Sequence, residues 1–493
     1  MFPRLLAAFA LFFSLSPAIA QTLPTEADLR RHIEILASDD FEGRQPGTAG
    51  EALTISYIAA EFAAAGLLPG YGGNYFQPVA LISRADDAVR LQSRTAGRTR
   101  SLAGDIFALG NTERVSLANV PVTFVGYAHD IEEPDGGTMA ERRFDGEAVL
   151  MLRGLPDGMA DGPSFRSRIA FFRERGATAI VAIVPPDIPW DAAVTGMRFR
   201  QTYLASQTLA AAEVIIGASL ADEMLGDLGL SRESLAASAG AGGFEPITLA
   251  LTLDIAIDTV IDRYDGVNVV ARLPGSGDGE EAVLFSAHHD HFGFCRPDAP
   301  DDRICNGAVD NASGTAAVIE VARALATGEP SVRDILFVTT TAEENGLLGA
   351  IAFAENPPIP LEDIIAVFNL DTIAIAPRGA SVGIIGRGMT PLDPLIDAVA
   401  EEAGRTVDRS TEMNSFVRRN DAWAFLERGV AAVMVGGSFT DPELLTNFFR
   451  GRYHGPEDEI DGIELGGAHE DTLLHIALGR AFADPARYPG PQR

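Results

Sequence analysis

The chain has 493 residues, enough for two or three domains that each bury a core of their own. A formal net charge of −31 argues against a nucleic-acid partner, because phosphate binding needs a basic face. All 38 basic residues are Arg, which excludes Schiff-base and pyridoxal chemistry, phosphate-loop lysines and Ser-Lys dyads.

Residues 1–20, MFPRLLAAFALFFSLSPAIA, read as an export signal. Arg4 gives a positive start, Leu5 to Leu15 is apolar, and Ala18-Ile19-Ala20 is a small-residue cleavage site. The apolar run falls short of the roughly 20 residues a membrane span needs. Cleavage after Ala20 thus predicts a bacterial periplasmic or secreted protein with no membrane anchor. Residues 21–105 open on a helical pattern, Glu26 to Ala37, followed by the turn-rich SDDFEGRQPGTAGE. A second helix is expected from Ala52 to Ala65, with Gly66 placed to cap it.

Residues 106–250 change character. Short apolar runs, VPVTFVGYA and EAVLMLRG, are separated by Gly/Pro/Asp turns, IAFFRERG is helix-like, and ATAIVAIVPP and PITLALTLDI follow. This predicts a small β-rich module carrying a helix or two. From 251 to 493, strands (VNVVARL, AVLFSAH, DILFVTTTA, IIAVFNLD) alternate with helices (SGTAAVIEVARALATG, NGLLGAIAFAEN). Continuous Val/Ile/Leu strands between helices predict an α/β fold whose central sheet is mixed but mostly parallel, flanked by helices on both faces. Cys295 and Cys305 are expected to pair as a disulfide.

In such a sheet, sites form beyond the carboxyl ends of the strands. There AVLFSA runs into His288-His289-Asp290-His291, and the strand period places Asp290 to buttress the His288 ring. Asp310 precedes a helix, where capping is an equally ordinary role. Glu343 and Glu344 follow the third strand as adjacent acids that repel unless a cation or solvent separates them. Asp371 ends a run that should be buried, and a late loop offers His454. Together these match two metal ions sharing one bridging carboxylate, each also holding one His and one acid and keeping room for water. His and carboxylate donors without thiolate suit two zinc ions, with cobalt or manganese as substitutes.

His288-x-Asp290-His291, GAVDNASG, AEENGLLG, NLD and YHGPEDEID resemble the di-zinc aminopeptidase family, which also contains glutamate carboxypeptidases. LASDDFEGRQPGTAGE resembles that family's opening, and 106–250 is similar to the protease-associated domain inserted in some members. The resemblance implies a zinc-exopeptidase-like fold split between 21–105 and 251–493. It further implies a peptide substrate cut by a metal-bridging hydroxide, most simply by an aminopeptidase. One zinc would take His288 and Asp371, the other Glu344 and His454, with Asp310 bridging. Glu343 would be the general base, Asp290 would orient His288, and Tyr453 would stabilise the oxyanion. His289 and His291 fall outside this ligand set. His289 and Asn420-Asp421 stand where relatives commonly have Tyr and Ser-Asp, which bears on pocket shape. Alternatives are a glutamate-carboxypeptidase-like enzyme or dipeptidase, and a single-zinc glutaminyl cyclase.

Overall fold

The computed structural model describes residues 23–491 apart from 132–136, 140, 160–161, 199–200 and 242. The expected export signal lies outside the described residues, and no helix among them is long and apolar enough to cross a membrane. The chain divides into two compact units, one formed by Met1–Val79 with Asp265–Arg493 and the other by Ala80–Tyr264.

The helices of the discontinuous unit include α1 (Glu26–Leu36), α2 (Ala49–Ala64), α3 (Ser313–Ala326), α4 (Leu348–Glu355), α5 (Asp393–Glu402) and α6 (Leu465–Phe482). The strands are β1 (the end of Ile247–Leu273), β2 (Ala282–His288), β3 (Asp334–Thr340), β4 (Ile364–Asn369), β5 (Gly383–Ile385) and β6 (Ala432–Gly436). They lie in the order β5-β6-β4-β2-β3-β1. Strands β2, β3, β4 and β6 are parallel, while β1 and β5 run antiparallel to their neighbours β3 and β6. Every residue of β2 is buried, as the unbroken apolar run predicts. Alternation then divides its side chains: Val283, Phe285 and Ala287 join the core beneath α1, α2, α3 and α6, while Ala282 and Leu284 pack on the opposite face against Phe353 and Phe425. Thr25 caps α1 in a reciprocal box with Asp28, and Gly66 takes φ +86° after α2. VNVVARL, expected as a separate strand, is instead the end of the 27-residue strand that begins at Ile247.

The unit 80–264 is wider than the expected module. Its parallel strands Arg114–Phe124, Ala148–Leu152, Ala179–Ile183 and Ala212–Ile216 are neighbours in that order, with Ile106–Gly110 antiparallel at one edge. Phe165–Glu174, from the helix-like IAFFRERG, leads into Ala179–Ile183.

His475 on α6 ties stability to pH. Its ring is fully buried against the edges of Phe285 and Phe368, with Nδ1 2.7 Å from the Asp471 carbonyl. Burial lowers its pKa from 6.5 to about 4. A depressed folded value means that stability present above pH ~6.5 is lost as pH falls toward ~4. Asp471, raised by burial to about 6, acts in the opposite sense, gaining stability as pH falls through that value. The His475 contribution therefore shows as a difference: His475→Leu should lose about 2 kcal/mol less stability than the wild type between pH ~7 and ~4.5. Denaturant midpoints at the two pH values check this, and equal losses would refute it.

Candidate metal centre

The carboxyl ends of β2, β3 and β4 bring the sequence-predicted residues together. His288 is the last residue of β2, and its Nε2 lies 3.2 Å from Asp310 Oδ1, 3.5 Å from Asp371 Oδ1 and 3.9 Å from Glu343 Oε2. On the other side of Asp310, Oδ2 is 3.4 Å from His454 Nε2, which is also 3.0 Å from Glu344 Oε2. His288, Asp310 and Asp371 form one group with ligand-forming atoms within 4.8 Å of each other; His291, Asp310 and Glu344 form a second. Asp310 belongs to both.

Local sequence explains each placement. Gly307 sits at φ +56°, and a Cβ there would lie 2.1 Å from the Asp310 carbonyl and 2.7 Å from His291 Cγ, so only glycine fits. The turn that follows presents Asp310 just before α3. Asn311 ties it to β4, donating to the Leu370 carbonyl at 3.0 Å and accepting from Thr372 N–H at 3.3 Å. Beyond β3 the chain turns at Ala342, φ +54°, and the Asp290 carboxylate accepts from the N–H groups of Glu343 (3.0 Å) and Glu344 (3.4 Å). Toward His288 Nδ1, Asp290 presents its backbone carbonyl at 3.2 Å, with its carboxylate at 3.7 Å. Asp290 thereby fixes both the ring and the two glutamates.

The electrostatics are those of an acid-rich pocket. Burial raises the Glu343 carboxyl well above its usual range, and Glu344, Asp421 and Asp371 push the same way against His288. Burial would lower the His288 imidazole, but Glu343, Asp371, Asp290 and Asp310 raise it well above its ordinary value. His454 is raised to about 10, with Glu344 and Asp310 outweighing burial. Five carboxyl groups, those of Asp290, Asp310, Glu343, Glu344 and Asp371, crowd around these imidazoles, and His291 Nε2 is buried without a hydrogen bond. Donors of this kind, left unsatisfied in a buried acidic cluster, fit divalent metal ions.

Tyr453 stacks on His454 with ring centroids 3.6 Å apart and lines a cavity shared with Asp310, Glu343 and Asp371. Asn420 lines it too, whereas His289 is fully buried, with Nδ1 3.1 Å from Thr339 Oγ1, and does not shape it. Asp421 is buried beside Thr340, which donates to it. Cys295 and Cys305 form the expected disulfide, Cα–Cα 5.7 Å, and Cys305 Sγ lies 3.5 Å from the His454 carbonyl.

His291 was expected outside the ligand set, and Asp458 and Arg44 had no expected role. His291 joins the second group, its Nδ1 2.6 Å from Glu344 Oε1. Asp458 accepts from the N–H groups of Val309 and Asp310 and so holds the Asp310 turn. Arg44, fully buried, donates to the carbonyls of His289 (2.7 Å), Leu36 (2.6 Å), Asn306 (2.6 Å) and Gly307 (3.0 Å). The available signal for His291 and Asp458 was their place inside His288-x-Asp290-His291 and YHGPEDEID.

Comparison with known proteins fits this geometry. A protein named "Probable zinc metalloprotease" from Pyricularia oryzae is 29% identical over 225 residues, 44% of this chain and 40% of its own. A "Probable glutamate carboxypeptidase" of Arabidopsis thaliana is 26% identical over 247 residues, 46% of this chain and 32% of its own. The chain thus spans less than half the length of these relatives. The aminopeptidase from Aneurinibacillus sp. strain AM-1 shares the fold with TM-score 0.52 and 17% identity, covering 92% of this chain and 93% of that one. The expected bacterial periplasmic or secreted location does not stand. The curated relatives include fungal zinc metalloproteases and vacuolar membrane proteases, which point to a eukaryotic origin. Residues 268–477, which carry every candidate ligand, match the model of peptidase family M28.

Proposed function

We propose that the protein is a zinc metallopeptidase that holds two zinc ions and removes amino-terminal residues from peptides. The observation that carries this reading is the position of Asp310, whose two oxygens face two separate sets of imidazole and carboxylate donors. His288 and Asp371 would hold one ion, Glu344 and His454 the other, with Asp310 between them. Bound zinc would supply Lewis acidity and lower the pKa of water toward neutrality.

The remaining steps belong to the chain's own groups. Glu343, lining the cavity with Asp310 and Asp371, takes a proton from water as the oxygen attacks the scissile carbonyl carbon. Tyr453 donates its phenolic proton in a hydrogen bond to the oxyanion; burial and the nearby Asp310, Glu344 and Glu343 keep that phenol protonated. When the C–N bond breaks, Glu343 returns the proton to the leaving nitrogen. The free α-amine of the substrate pairs with carboxylates of this acidic site. We read residues 106–250 as a protease-associated module, on the similarity of its apolar segments.

Aminoacyl chromogenic substrates and amino-blocked peptides, assayed with and without chelator, test the reading. Cleavage should require a free amine, vanish on chelation and return with zinc at about two ions per chain. Equal cleavage of blocked and free peptides would rule out the aminopeptidase assignment, and one ion per chain the paired site.

A further inference from the structure

The cavity in front of Asp310, Glu343 and Asp371 has a single cationic side chain in its lining, Arg419. Its guanidinium carbon stands 5.4 Å from the Phe416 ring centroid and 5.6 Å from that of Phe449, and Nη2 lies 3.5 Å from Tyr453 Oη. Arg387, Arg405 and Arg409 in the same unit each hold a carboxylate. Arg419 is exposed, and its interactions among the described residues are with Tyr453 and these two rings. The rings orient the guanidinium by cation–π attraction while leaving its planar fork of donors open toward the cavity.

A planar guanidinium fork matches a carboxylate in two parallel hydrogen bonds. Its place next to Tyr453 Oη puts it within one residue of the scissile carbonyl, on the mechanism proposed above. A cation there repels the substrate's ammonium, so it belongs on the side of the leaving residue. We propose that Arg419 binds a carboxylate on the residue that follows the scissile bond. This rests on the peptidase reading and narrows its substrates to peptides whose leaving residue is anionic. The anion is either the α-carboxylate of a dipeptide or the side chain of Asp or Glu.

The test compares leucyl-glycine, leucyl-glycinamide and leucyl-glutamic acid α-amide on the zinc-loaded protein and on Arg419→Gln and Arg419→Lys. The wild type should favour an anionic substrate over the neutral amide by roughly 10- to 100-fold in kcat/KM, carried mainly by KM. Whichever anionic substrate gains identifies the source of the carboxylate. Arg419→Gln should bring the ratio to about 1, and Arg419→Lys should restore part of it. Calorimetric binding of leucyl-glycine and its amide to Glu343→Gln gives the same comparison without turnover. Equal treatment of acid and amide by an active wild type, or a ratio unmoved in Arg419→Gln, overturns the role of Arg419 alone. No hydrolysis of any of the three, with no binding to Glu343→Gln, overturns the peptidase reading and this proposal with it.

Discussion

Glu343→Gln is expected to keep the fold and the zinc content of the wild type while losing at least ~100-fold in kcat, the lower range for removal of a general base. The fold should survive because the turn at Glu343 is held through its backbone: Asp290 accepts from the N–H groups of both Glu343 and Glu344. The glutamine amide has the same shape but accepts no proton. Glu344 lies one residue further on, yet its Oε2 is 3.0 Å from His454 Nε2, so Glu344→Gln should instead lower zinc content. Metal analysis beside steady-state kinetics separates these outcomes. Full activity in Glu343→Gln would assign the base elsewhere, and parallel loss of zinc would make Glu343 a ligand.

The parts of the molecule legible in the sequence are those where local pattern and tertiary burial agree. β2 reads as a buried strand because all seven of its residues are buried, and α1 reads as a helix because Thr25 and Asp28 close a capping box that Leu29, Ile33 and Leu36 then follow into the core. The candidate ligands were legible because strand ends carry them into one place. Long-range contacts were not. Nothing local to Arg44 tells that its guanidinium meets Asn306 and Gly307, more than 250 positions away. The reading of Asp290 as a side-chain support for His288 followed from extending the strand period. The strand ends at His288, and in the turn beyond it the Asp290 carbonyl (3.2 Å) and carboxylate (3.7 Å) both lie near His288 Nδ1. The continuous strand Ile247–Leu273 was missed because polar residues of IDRYDG interrupt its apolar pattern, and such residues usually mark a turn.

Arg44→Met should destabilise the discontinuous unit by about 3–5 kcal/mol, the range for breaking a buried charged network. The Arg44 guanidinium ties the end of α1 at Leu36 to His289, beside the ligand His288, and to Asn306 and Gly307, which lead into Asp310. Burial lowers its pKa to about 10, with Asp290, Asp458, Asp310 and Glu344 acting in the opposite sense, so it stays charged at neutral pH. Methionine fills part of the volume but leaves four carbonyls without their donor and removes a fixed positive charge from beneath the acidic cluster. Weaker zinc retention should accompany the loss of stability, because the carbonyls that anchor the His288 and Asp310 segments move independently once the fork is gone. Arg44→Lys keeps the charge on a point donor without the planar fork, so it should recover only part of either property. Chemical unfolding of the zinc-free and zinc-loaded forms, with competitive zinc titration, measures both. A methionine variant within ~1 kcal/mol of the wild type in stability and equal to it in zinc affinity would show that the four hydrogen bonds are replaced by solvent without consequence.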